Sequence, residues 1–195
     1  MRESLSKRKV TKGRVFNMEV LIRQETSADY DRVYEVVKEA FLNAEYTNHD
    51  EQNLVVRLRS SAAFVPALSL VAVVDDTIVG HILFTKIKIK GDEKEFRSIA
   101  LAIVSVLPDM QGKGIGEKLI LEGHKIALKL GLNSVIVVGH HGYYPRFGYV
   151  PARRFGITAP FDVPDEAFMV NELTANALSD INGVVEYPKE FLFNI

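Results

Sequence analysis

Cysteine is absent from the 195 residues, so the chain can form no disulfide framework, offers no thiolate nucleophile and holds no cysteine-ligated zinc. A reducing compartment fits that absence, and the cytoplasm is the expected location. An excess of charge of one sign is also missing: 24 Lys and Arg face 25 Asp and Glu, a formal net charge of -1. No overall field directs the chain to nucleic acid or to an acidic membrane surface, so an anionic ligand must be held by local geometry. Long apolar runs are lacking as well. The longest, such as 69–74 and 99–106, fall far short of the roughly 18 to 20 residues that span a bilayer, and no membrane segment is expected.

What is present is enough apolar material, 47% of the residues, to bury one sizeable core, at a length that suits one domain better than two. The first 17 residues differ from the rest: Arg2, Lys7, Arg8, Lys9, Lys12 and Arg14 face Glu3 as the only acid, with no hydrophobic period. They read as a flexible basic tail, either a solvated extension with Met18 an alternative start or a nucleic-acid-binding arm. No apolar stretch follows the basic residues as a signal peptide requires. The expected organisation is a tail over 1–17 and a single domain over 18–195.

Along that domain the hydrophobic period changes in a readable order. A short strand over 19–23 precedes a helix over about 28–42, for which Ser27 offers an N-cap, and a shorter helix over 51–60 ends before Pro66. Residues 68–74 and 78–89, joined by Asp75-Asp76, carry a β-hairpin signal, and Lys86, Lys88 and Lys90 alternate with Ile87 and Ile89 at its far end. The apolar run 98–107 reads as a strand buried on both faces. A helix over 114–130 places Ile115, Leu119, Gly123, Ile126 and Ala127 on one stripe and stops at Gly131. A strand over 134–138, a helical turn within 143–147, and strands over 149–155 and 167–173 complete an α/β (α+β) domain with helices on a mixed sheet.

Between the buried strand and the 114–130 helix stands Gln111-Gly112-Lys113-Gly114-Ile115-Gly116. Three glycines in five residues let backbone N–H groups converge and a ligand approach closely, and the helix N-terminus adds about half a positive charge. On spacing alone the loop is either a site for a diphosphate-sized anion or a sharp corner. A P-loop is disfavoured, because Gly112 to Lys118 lacks the hydroxyl that holds magnesium. A dinucleotide fingerprint fails where Glu117 replaces the third glycine.

The hexapeptide resembles the Gln/Arg-x-x-Gly-x-Gly/Ala signature of the GCN5-related N-acetyltransferase (GNAT) superfamily. Other landmarks of that superfamily follow in order: the hairpin segment Val79-Gly80-His81-Ile82, the strand Val104-Ser105-Val106 before the loop, and a Tyr-x-x-x-Gly-aromatic element from Tyr144 to Tyr149. The resemblance covers residues 19–155, and the Tyr143-Tyr144-Pro145-Arg146-Phe147-Gly148-Tyr149 box with the C-terminal extension is similar to the YhbS-like bacterial branch. It implies a mixed, mostly antiparallel sheet of about six to seven strands flanked by helices. It implies transfer of an acetyl group from acetyl-CoA to an amine of a small molecule or protein. Backbone N–H groups of Gln111, Gly112, Lys113, Gly114, Ile115 and Gly116 would bind the CoA pyrophosphate, and the pantetheine arm would pair with Val104, Ser105 and Val106. Tyr144 would protonate the departing thiolate. A lysine-like amine of pKa about 10.4 is neutral only about once in 10³ molecules at pH 7, so the chemistry asks for a base. His81, His140, His141 and glutamates are the candidates, with His140 favoured because it follows the 134–138 strand.

The pattern also departs from the superfamily. Ala100, Ala102 and Ile103 stand where many members carry an acid, and Gly139-His140-His141-Gly142 has no counterpart of the usual Asn. Without the resemblance, Tyr143, Tyr144, Phe147 and Tyr149 read as an aromatic core cluster. No metal site is expected from His140 and His141, since no third ligand has diagnostic spacing. The partners implied are an amine acceptor and, at most, a second copy in a homodimer, with neither nucleic acid nor membrane. Two other readings stay open: a catalytically silent CoA-binding module, and a different fold holding a phosphate ligand.

Overall fold

The structure is a computed structural model that describes residues 18–45 and 47–194, the side chains of 192–194 excepted; the tail expected over 1–17 lies outside the described residues. The strands are β1 (Leu21–Gln24), β2 (Phe64–Val74), β3 (Thr77–Lys90), β4 (Glu95–Val106), β5 (Ser134–Val138), β6 (Val150–Pro151), β7 (Ile157–Thr158), β8 (Phe168–Glu172) and β9 (Gly183–Glu186). The helices are α1 (Tyr30–Phe41), α2 (Glu51–Arg59) and α3 (Ile115–Lys129), with short 3-10 turns between elements.

The strands form one mixed sheet in the order β1-β2-β3-β4-β5-β8-β6, with β9 pairing β3 beyond the start of β2, and β7 pairing β9. Every pairing is antiparallel except β4 with β5 and β7 with β9. The hairpin between β2 and β3 turns on Asp75 and Asp76, both in the left-handed region at φ 47° and 60°, the geometry that a two-residue turn needs to match the strand twist.

Neighbouring residues of β3 show how the faces are divided, since successive strand side chains point to opposite sides. A Cβ at Gly80 would lie 3.3–3.4 Å from Leu119 and Ile115, so that face carries α3. His81, on the other face, sits beside Arg59 at the end of α2, and α1 packs with α2. Further along that second face, Ile87, Ile89, Ala100, Ile136 and Val170 form a separate cluster with Ala152, Ile157, Phe168, Leu178 and Val185. The second face is thus covered by α1 and α2 over one half and by the C-terminal part of the chain over the other. The covers touch where Arg57 Nε and Ser61 Oγ donate to Glu190, at 3.3 and 3.2 Å.

Several local features differ from the sequence expectation. Thr26 begins the first helical segment in place of Ser27: its N–H and hydroxyl both donate to the Asp29 carboxylate at 2.8 Å. Arg23 grips the same carboxylate with two bonds of 2.7 and 2.8 Å and holds its pKa well below the usual range. Pro66 lies inside β2, at an irregularity where the register with β3 shifts, which is where a strand tolerates a missing donor. The strand expected over 149–155 stops after Pro151, and the chain closes into a 3-10 turn capped by Gly156 at φ 69°. Among the described residues there are nine strands, the additional ones being only two to four residues long.

Candidate active site

β4 and β5 pair in parallel only at Ile99 with Val135 and Ala100 with Ile136. Past those residues both strands continue without pairing each other, and a gap opens in the middle of the sheet. The run 98–107 is therefore not buried on both faces throughout: residues 98–101 are buried, but Ala102, Val104 and Val106 are half-buried. Ala102 is the extra residue of a bulge, since Leu83 opposes Ile103 whereas Phe84 opposes Leu101, and bulges bend a strand away from its neighbour.

Antiparallel alternation fixes which backbone groups face the gap. Leu107 N–H donates to Val79 O at 2.9 Å, so residues 107, 105 and 103 turn their backbone to β3. Val104 and Val106 turn theirs to the gap, and the Gln111 side chain donates to Val106 O at 3.1 Å. Of the three residues expected to pair with an extended ligand, Val104 and Val106 turn their backbone to the gap and Ser105 turns its own to β3; the Ser105 hydroxyl is buried, donating to His81 O at 3.4 Å.

At the head of the gap the 3-10 turn Pro108–Met110 leads into the glycine loop. Gly112 and Gly114 have φ 72° and 78°, and a Cβ on either would meet nothing within 4 Å. These glycines are required by backbone conformation, and the space outside them is open. Gly114 is the left-handed residue immediately before α3, and the N–H groups of residues 112–116 have no acceptor among the described residues. Unpaired donors at a helix N-terminus can hold an anion. Gly116 differs, because a Cβ there would lie 2.9 Å from the Tyr143 hydroxyl and 3.8 Å from Val106.

That contact places Tyr143, which the sequence reading set only in the aromatic box, across the first turn of α3 at the edge of the gap. Its half-buried ring lies under the Arg146 guanidinium at 4.7 Å. Tyr144 is more deeply set, 7% exposed, and its ring packs so closely on Gly139 that a Cβ there would come within 2.2 Å of it. Tyr143, Tyr144 and Tyr149 meet edge to face at centroid distances of 5.3 and 5.5 Å, and Tyr149 shares a 2.9 Å hydrogen bond with buried His124. The aromatic cluster thus reaches the first turn of α3 through the Tyr143 hydroxyl. Burial, with Tyr143 adding to it, pushes the Tyr144 pKa up, which keeps its phenol protonated at neutral pH and makes it a weaker acid.

His140 follows β5 at the mouth of the gap, exposed and stacked on His141 at 4.9 Å. Its Nδ1 accepts a hydrogen bond from Gly142 N–H at 3.0 Å. A neutral imidazole has one nitrogen lone pair, and this one is engaged. His81 is fully buried: its Nε2 lies 3.1 Å from Ser69 Oγ, which donates to Glu25 at 2.6 Å, and Glu25 is paired with Arg59. Its Nδ1 has no hydrogen-bond partner among the described residues. Burial and the nearby Arg59 lower the His81 pKa to about 3, which leaves it a poor base. Among the described residues no three metal-ligating side chains come together, and no helix is long and apolar enough to cross a membrane.

Comparison with known proteins gives the same outline. The acetyltransferase (GNAT) domain pattern matches residues 21–152. The uncharacterized N-acetyltransferase YjhQ of Escherichia coli (strain K12) is 38% identical over 133 residues, 66% of this chain and 74% of the relative. YhbS of the same organism is 27% identical over 173 residues, 88% of this chain and 98% of the relative. The crystal structure of Escherichia coli YhbS in complex with CoA superposes with a TM-score of 0.81 at 23% identity, covering 91% and 94% of the two chains. A GNAT family acetyltransferase from Brucella melitensis in complex with acetyl-CoA superposes with a TM-score of 0.71 at 31% identity, covering 90% and 99%.

Proposed function

The chain belongs to the GNAT acetyltransferase family as a YhbS-like member, and from that premise we propose that it transfers the acetyl group of acetyl-CoA to an amine, with residues 104–116 as the cosubstrate site. The observation that carries this reading is the gap between β4 and β5, headed by unpaired N–H donors at the start of α3. The free amides of residues 112–116 suit a diphosphate. The outward backbone groups of Val104 and Val106 suit an amide-bearing arm laid along β4 as an extra strand.

In the reaction the neutral amine nitrogen bonds to the thioester carbonyl carbon, the C–S bond breaks with its electron pair on sulfur, and Tyr144 gives its hydroxyl proton to that sulfur. The proton lost by the nitrogen returns the phenolate to phenol, directly or through water. A Val106 N–H facing the gap would stabilise the oxygen on which negative charge develops. His140 stands at the right end of β5 for a base, but it takes a proton only by giving up Gly142 N–H, so we assign it to holding the 139–142 loop.

We place the reaction in the cytoplasm, where acetyl-CoA is a soluble metabolite. No nucleic-acid partner is assigned, because from Met18 onward 24 acidic residues face 18 basic ones. A panel of amines, polyamines, amino acids and peptides scored by CoA release tests the reading. Acceptor-dependent release supports it. CoA binding without release from any member would favour a silent binding module.

A further inference from the structure

Of the three glycines in the cosubstrate loop, Gly116 is the one that its own backbone does not require. Gly112 and Gly114 are left-handed, whereas Gly116 lies in the first turn of α3, where glycine is a poorer helix former than alanine. The superfamily signature accepts alanine at this position as well. In this chain the place a Cβ would take is met by the Tyr143 hydroxyl, 2.9 Å away. We propose that Gly116 and Tyr143 form a steric lock in which Tyr143 is a positioning residue: lodged against Gly116, its ring fixes the turn after β5 relative to α3 and so sets where Tyr144 stands at the gap. The proposal rests on the acetyl-transfer reading above and adds a positioning residue to it.

The contact crosses a part of the sheet that backbone bonds leave open. β4 and β5 pair only at Ile99 with Val135 and Ala100 with Ile136. They run parallel, so the ends that lead to α3 and to the 139–144 segment lie at the same edge of the sheet. Gly116 belongs to the α3 side, where its Cβ position also lies 3.8 Å from Val106 of β4. Tyr143 belongs to the β5 side and joins the two at their open end.

The Tyr143 ring is not free to yield. It meets Tyr144 and Phe147 edge to face, both at 5.3 Å, and lies under the Arg146 guanidinium, whose Nε donates to the Tyr143 carbonyl at 3.0 Å. Its backbone N–H donates to His140 O at 2.9 Å. None of these contacts uses the hydroxyl, whose place is set by the packing of the ring. A methyl group on residue 116 therefore cannot be absorbed by turning one side chain. It displaces the turn, and Tyr144, the next residue, moves with it. Misplacement of a reacting group by about 1 Å costs about 10²-fold in rate.

The test is a double-mutant cycle. CoA release from acetyl-CoA with the most active amine of the panel above is measured in Gly116→Ala, in Tyr143→Phe and in the double variant, beside thermal unfolding and circular dichroism of each. Gly116→Ala should lower kcat by about tenfold or more with little change in KM for acetyl-CoA, and should lower Tm although alanine is the better helix former. Adding Tyr143→Phe removes the oxygen that the methyl meets, and should return kcat to the level of Tyr143→Phe alone and raise Tm again. Native kcat in Gly116→Ala overturns the proposal, as does a loss confined to KM or one that Tyr143→Phe does not relieve, because the glycine then serves the ligand. Coupling in Tm without coupling in kcat also overturns it, since the contact is then structural only. Tyr143→Ala opens the lock from the other side: kcat should again fall by about tenfold or more, and native kcat there overturns the proposal even if Gly116→Ala does not fold. A wild-type protein that releases no CoA with any amine overturns the acetyl-transfer reading instead, and the Tm cycle then decides the lock.

Discussion

Replacing Gly114 separates the conformational need for glycine from the space a ligand needs. At φ 78° and ψ 7° the residue is left-handed, a conformation that costs a side-chain-bearing residue roughly 1–2 kcal/mol and is tolerated best by Asn and Asp. A Cβ there touches no protein atom, so packing adds nothing to that cost. Gly114→Ala should lose about 1–2 kcal/mol, which at 2–4 °C per kcal/mol for a chain of this size lowers Tm by roughly 2–8 °C. Gly114→Asn should lose less. Both side chains project into the space outside the loop, and both should weaken CoA at least tenfold, or about 1.4 kcal/mol, by isothermal titration calorimetry. A Gly114→Asn protein with near-native Tm and native CoA affinity would refute the reasoning, because the loop would then be a corner and not a diphosphate site.

Tyr144→Phe keeps the ring packed on Gly139 and should leave acetyl-CoA binding nearly unchanged while lowering kcat about 10²-fold, within the usual range for a general acid; Tyr143→Phe should do much less, and steady-state kinetics on the two folded variants decides between them. His140→Ala should lower kcat by less than about tenfold, short of the 10² to 10⁴ expected for a general base, and a larger loss with a vanished acidic limb in the pH–rate profile would restore it as the base. Glu25→Gln strands Arg59 in a buried site and should cost about 3–5 kcal/mol in denaturant unfolding, a large part of a typical total of about 5–15 kcal/mol. Burial lowers the pKa of His124 to about 4 and, together with Arg59, that of His81 to about 3. Both folded values lie below the ordinary 6.5, so the unfolded chain binds these protons more readily. Stability from the two groups is complete above about pH 6.5 and falls toward pH 4 by about 1.4 kcal/mol per pH unit for each, and denaturant unfolding between pH 7 and 5 should show a shallower slope in His124→Gln.

The sequence was informative wherever a feature is local. The Asp75-Asp76 hairpin, the stripe of α3, the glycine loop and the turn around Tyr144 each depend on residues a few positions apart, and each forms where its pattern predicts. What no local pattern carries depends on contacts distant in the chain. The splay of β4 from β5, which the resemblance to the superfamily implies, goes with a bulge at Ala102, opposite β3, beyond which Val104 and Val106 turn outward, and no local period announces it. Tyr143 becomes part of the site only because Gly116, on a different element, leaves room for its hydroxyl. The engagement of His140 by Gly142 is two residues long, yet a side-chain contact with a backbone N–H leaves no compositional trace. The C-terminal cover, made of strands of two to four residues held by β3 and by the bond that Arg57 of α2 donates to Glu190, is too short in each piece for periodicity to register.

The central claim is tested most directly by following both products of one reaction. The protein is incubated with acetyl-CoA and a panel of mono- and diamines, and acetylated amine is quantified by mass spectrometry beside free CoA thiol. The account predicts acetylated amine and free CoA in equal amounts, dependent on acceptor and suppressed in Tyr144→Phe. Tight CoA binding with no acetylated amine from any acceptor, or CoA released without matching product, would contradict it.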